Sequence, residues 1–216
     1  MADSVVTRFA PRLAAAILAF SLLALAGRAH AQVWAETGDA GDLISTAQFT
    51  TGSGPLQFIT GNLGSPTDVD VYCIHLQSVP PAGLPLVQLQ CIVIQGPDVF
   101  LFDAAGNGVF TNTTCSSGAK TLLAPNTGLA AGTYYVAVAF YGNDPQSAGG
   151  PIWLPALLGQ RAPDGPGAAG TLTGWAGAPV VQPNNPYQIN LAFMQYCGAP
   201  VPTAQPTWGT LKSHYR

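Results

Sequence analysis

Charge is what this sequence has least of. Asp, Glu, Lys and Arg make up 8% of 216 residues, against roughly 25% in ordinary soluble domains. Only 7 residues are Lys or Arg and the formal net charge is −3, so the phosphate-neutralising surface that nucleic acid demands is missing. No apolar run reaches the roughly 20 residues of a membrane-spanning helix. No sustained 3.6-residue period is present either, which excludes a helical bundle. Catalytic signatures are absent: there is no G-x-S-x-G elbow, no H-E-x-x-H and no P-loop. His75 is the only histidine in the body of the chain and sits in a strand-like stretch, with His214 close to the end. A triad needs an oriented base and an oxyanion site that nothing here announces, so no enzyme is expected.

What is abundant is punctuation. The 25 Gly and 19 Pro favour turns over long helices. Near the start, Arg8 and Arg12 precede an apolar run from Leu13 to Ala26, and Ala29-His30-Ala31 follows as a small-x-small triplet. That order reads as a secretory signal peptide over 1–31, cleaved after Ala31, and places the product outside the cell or at its surface. Loss of Asp3, Arg8, Arg12 and Arg28 leaves the remainder more acidic. The length of 216 residues suits one ordinary domain with some extension, or at most two small ones.

Cys73, Cys91, Cys115 and Cys197 all follow that segment. An even count in an exported chain predicts two disulfides, with three connectivities open. The preferred pairing is Cys73–Cys197, tying an early strand to the last one, with Cys91–Cys115 closing a shorter loop. No two cysteines lie closer than the 18 residues from Cys73 to Cys91, whereas paired zinc ligands sit about two to four apart.

From Leu43 the apolar pattern has period two. Strands are predicted over Leu43–Phe49, Leu56–Ile59, Asp68–Leu76, Leu86–Ile94, Val99–Asp103, Val109–Asn112, Gly132–Phe140 and Tyr187–Phe193. Leu86–Ile94 is the stretch most suited to burial on both faces. Tyr72, Ile74 and Leu76 share a face. The expected fold is all-β, an antiparallel sandwich of jelly-roll kind with roughly seven to nine strands. Asn112-Thr113-Thr114 fits a glycosylation sequon by pattern but reads as an unmodified turn.

The segment 142–185 reads as a long Gly/Pro-rich loop inserted into the 32–197 domain. It carries Trp153 and Trp175, whose apolar area must cover something. Either it is a flap over a sheet edge or face, or it contacts a ligand through those two tryptophans. Beyond Cys197, residues 198–206 form a Pro-spaced linker and 207–216 a short basic tail. On a helix Trp208, Leu211 and Tyr215 would share one face, giving a recognition tail that folds only on docking.

Hard cations need clustered oxygen ligands. Asp68, Asp70, Asp98, Asp103, Asn107 and Asp144 are the candidates, with Asp68, Asp70 and Asp103 preferred. Asp68 and Asp70 are two apart on a strand and share a face. The simpler reading is that such residues bond local backbone N–H groups at strand starts and turns.

Four motifs in order carry a resemblance. Asp68-Val69-Asp70-Val71-Tyr72 is followed by Phe100-Leu101-Phe102-Asp103-Ala104-Ala105-Gly106. Leu129-Ala130-Ala131-Gly132-Thr133-Tyr134-Tyr135-Val136-Ala137-Val138 and then Tyr187-Gln188-Ile189-Asn190-Leu191 complete the set. The series resembles the bacterial pre-peptidase C-terminal (PPC) domain, a secreted β-sandwich commonly appended to extracellular proteases. The likeness runs from about Leu43 to Phe193, interrupted by 142–185; the cysteines and that insertion are outside the usual pattern. It implies calcium as the one cofactor to consider, since similar domains of secreted collagenases bind calcium and collagen.

The expected function is therefore a secreted, non-catalytic module that binds or assists with an extracellular polypeptide or polysaccharide. A structural component of the envelope or matrix, attached through the tail, is the alternative. A hydrolase with an unrecognised site is the second alternative.

Overall fold

The computed structural model describes residues 32–91, 96–126, 128–155, 157–180 and 186–198. Residues 1–31, expected to be a signal peptide, residues 199–206 of the expected linker, and Trp208, Leu211 and Tyr215 lie outside these residues. Among those described, no helix is long and apolar enough to cross a membrane.

Alternation along three strands sets the layers. In β4 (Val69–Leu76), Tyr72, Ile74 and Leu76 join one apolar cluster, while Val69, Val71 and Cys73 join another. The strand β9 (Gly132–Ala139) divides the same way, with Val136 and Val138 on one side and Ala137 and Ala139 on the other. So does β6 (Asp98–Asp103), which splits Val99 and Leu101 from Phe100 and Phe102. A strand that is apolar on both faces must be covered on both, and here both are.

These strands form the centre of the larger sheet. Its order is β12 (Gln160–Arg161), β7 (Gly108–Asn112), β6, β9, β4 and β15 (Met194–Tyr196), with β2 (Gln48–Phe49) parallel to β4. A second sheet runs β1 (Val33–Ala35), β3 (Phe58–Asn62), β14 (Pro186–Leu191), β5 (Pro85–Gln90) and β8 (Ala119–Leu123). All its pairs are antiparallel except β1 with β3. Between the two sheets lies the inner core, where Ile59, Leu86, Leu89 and Ile189 meet Tyr72, Ile74, Val99 and Val136. The result is an all-β sandwich, as the period-two pattern predicts, with 15 strands among the described residues rather than seven to nine.

The outer face of the larger sheet is covered by the segment read as a loop. That segment holds a third sheet of β11 (Gly150–Pro151), β10 (Asn143–Ser147) and β13 (Gly174–Gly177). It buries Trp153 to 1% exposure against Phe100 and Phe102, with ring centroids 5.6 and 5.7 Å apart. Gly108 permits this approach, because a Cβ there would lie 2.7 Å from Trp153 Cη2.

Other boundaries also shift. Leu43–Thr46 is a turn, and only Gln48–Phe49 of that stretch pairs as a strand. β5 is exposed at both ends, residues 92–94 of the predicted Leu86–Ile94 strand lie outside the described residues, and the strands apolar on both faces are β4, β6 and β9. Cys73 is bonded to Cys197 and Cys91 to Cys115, with Cα separations of 5.4 and 6.0 Å.

Candidate functional site

The site grows from the point where the segment following β1 reaches the start of β4. Pairing of β1 with β3 and the Val71 N–H bond to Gly41 O carry residues 36–42 across the sandwich edge. Asp39, Asp68 and Asp70 meet there, each offering one oxygen within 4.8 Å of the others. The sequence reading found Asp68 and Asp70 but missed Asp39, whose only signal is the acid-rich Glu36-Thr37-Gly38-Asp39-Ala40-Gly41-Asp42 run.

Each carboxylate uses one oxygen on a nearby donor. Asp39 Oδ1 accepts the Gly41 N–H at 2.7 Å, and Asp68 Oδ2 accepts the Gly64 N–H. Asp70 Oδ2 accepts from the Tyr187 hydroxyl at 2.5 Å, and Tyr187 Oη lies 2.6 Å from Tyr72 Oη. The remaining Asp70 oxygen, Oδ1, is buried and has no hydrogen-bond partner among the described residues. Glu36 flanks the group with Oε2 accepting the Asn62 N–H at 2.8 Å. Gly61 makes room beneath, since a Cβ there would run into both Tyr187 Oη and Glu36 Oε2.

Electrostatics follow from burial and from the shortage of cations. The ion pairs among the described residues are Lys120–Asp98 and Arg161–Asp164, so no described base pairs with this cluster. Asp70 is pushed up to about 8, first by burial and then by the Glu36 and Asp68 charges, with the Tyr187 hydrogen bond opposing. Asp42 is raised by burial and by Asp39 and Asp68. Tyr72 and Tyr187 are raised as well, chiefly by burial. Such a set, oxygen-only with an orphaned buried carboxylate oxygen, fits a hard divalent cation.

Asp103 does not belong to it. Both its oxygens close the β6–β7 hairpin: Oδ1 accepts from the N–H groups of Ala105 and Asn107, and Oδ2 from the Asn107 side chain, each at 2.9 Å. The local-turn reading holds for that residue. Asn112 likewise organises a turn, its Oδ1 accepting the Thr114 N–H at 2.8 Å. His75 lies on β4 opposite Gln195 and Thr133.

An open groove of about 890 Å³ adjoins the acids. Asp39, Asp42, Thr46, Asn143, Thr173 and Trp175 line it. Trp175 is half-buried, its rear packed on Phe100 at 5.4 Å between centroids and its Nε1–H donated to Asp42 O at 2.7 Å. The two tryptophans therefore part company: Trp153 is core and offers no surface, whereas Trp175 walls the groove.

No protein-family model matches this chain, and no curated protein is significantly similar to it.

Proposed function

We propose that this protein is an exported, non-catalytic binding module whose groove beside Trp175 takes a segment of an extracellular polymer, polypeptide or polysaccharide. The observation that carries the reading is the groove itself: it is open, and an indole wall there faces hydroxyl, amide and carboxylate side chains. An open channel suits a chain passing through, and a tryptophan with fixed polar neighbours supplies contact area with orientation. The order of motifs, which resembles that of PPC domains, supports an accessory role of this kind.

Calcium belongs to the same proposal. Asp39, Asp68 and Asp70 would hold the ion, which supplies the positive charge that the cluster lacks. By bridging residue 39 to the start of β4, it would fix the segment that forms one groove wall.

Binding to insoluble collagen, cellulose and chitin, with and without Trp175→Ala, tests the groove. Retention by one polymer that the variant loses supports it; equal retention of both proteins overturns it. Calorimetric titration of chelator-stripped protein with Ca²⁺ tests the ion separately, and absence of both heat and thermal shift ends that part.

A further inference from the structure

Lys120 is wholly buried, an unusual position for a lysine. It lies on β8 beside Leu122 in the inward-facing alternation of that strand. Its Nζ is 2.6 Å from Asp98 Oδ1 at the head of β6 and 2.6 Å from Gly96 O. The Tyr141 ring lies 5.5 Å away. Because β8 and β6 belong to different sheets, this pair spans the two layers of the sandwich.

Isolation from water changes what such a pair is. Burial pushes Asp98 up to about 6 and lowers Lys120, each against the pull of its partner. Burial thus works against the charged pair from both sides, toward a neutral amine and a neutral carboxylic acid. Those are the two species that form an amide. A second acid is at hand: Asp144 and Asp98 both line a cavity of about 270 Å³, together with Tyr141 and Arg161. Asp144 is itself raised by burial.

We propose that Lys120 and Asp98 condense into an intramolecular isopeptide bond joining the two sheets. The Nζ lone pair attacks Asp98 Cγ and a C–N bond forms. A proton passes from nitrogen to the departing hydroxyl, with Asp144 as its carrier. The C–O bond breaks, and one water leaves into the cavity that Asp98 faces. One amine and one carboxylic acid become one amide and one water, with no oxidant, reductant or activating group. The reacting atoms are already held together by folding, which replaces an encounter in solution by an intramolecular step. With Cys91–Cys115 just outside β5 and β8, this end of the sandwich would carry two covalent ties.

Intact mass of the reduced, denatured full chain decides the matter. The expected protein is lighter than its sequence by one water, and trypsin fails to cut after Lys120. Fragment spectra then show the Asp98 side chain on Lys120 Nζ. A full-sequence mass with clean cleavage after Lys120 overturns the proposal. Asp98→Ala must restore the missing water, folded or not; persistence of the deficit would place the dehydration elsewhere. Asp144→Asn leaves the pair in place and should yield mostly uncondensed protein, so complete cross-linking in that variant removes Asp144 from the step.

Discussion

Tyr187 and Asp70 are 117 residues apart in sequence and 2.5 Å apart in the fold, the phenol donating to the one carboxylate oxygen that has a partner. Between them they join β14 of one sheet to β4 of the other. Tyr72 completes the chain at 2.6 Å from Tyr187. A buried acid held this way depends on that single donor.

Replacing Tyr187 by Phe keeps the ring in the inner core and removes the donor. Both Asp70 oxygens are then unpartnered in a dry site, at a cost of about 2–3 kcal/mol. Urea unfolding in chelator should show the midpoint fall accordingly. An unchanged midpoint would mean that water already serves Asp70.

The pH dependence follows from the same residue. Its folded-state value, about 8, lies above the ordinary 3.8. An acid shifted in this direction holds its proton more tightly when folded. Its stabilising contribution is complete below the unfolded value and is lost as pH rises through the folded one. In chelator, stability should therefore decline across that window, and Asp70→Asn should flatten the decline. A wild-type profile already flat there would contradict the assignment.

Calcium at saturating concentration should raise the unfolding temperature. At a hundred times the dissociation constant, the linkage term is about 2.7 kcal/mol. Asp39→Asn and Asp68→Asn should each abolish most of the shift, whereas Asp103→Asn, in its hairpin, should leave it intact. Differential scanning calorimetry of the four proteins makes the comparison.

The two tryptophans should separate stability from binding. Trp153→Ala opens a cavity against Phe100 and Phe102 and should cost about 3–5 kcal/mol. Trp175→Ala removes a half-buried ring and should cost less while losing polymer retention. Paired denaturation and pull-down experiments read both effects; equal destabilisation by the two would refute the division.

The two disulfides should differ in weight. In the loop-entropy view, Cys91–Cys115, closing 24 residues, contributes about 3 kcal/mol. Cys73–Cys197, closing 124 residues, contributes about 5 kcal/mol. Removing each pair separately and measuring unfolding in urea should reproduce that order.

The strands read most accurately from sequence are those with clean alternation. Asp68–Leu76, Val99–Asp103 and Gly132–Phe140 each lie within a residue of β4, β6 and β9. Ala119–Leu123 escaped notice because a lysine occupies one of its two inward positions, breaking the apolar pattern that marks a strand. The strands of 142–185 escaped because they are short and rich in Gly and Pro, with no periodicity to detect. Asp39 could not be joined to Asp68 and Asp70 by spacing, since a turn and a parallel strand pair bring it there.

Local chemistry in the sequence determined the all-β character, the central strands and the presence of two cross-links, because side-chain period and cysteine count are properties of neighbouring residues or of composition. Tertiary structure alone decided which tryptophan is core, which aspartates converge and that Lys120 meets Asp98. Those facts rest on contacts between residues far apart in the chain, where the closing of the sheets, not the order of the letters, sets the distances.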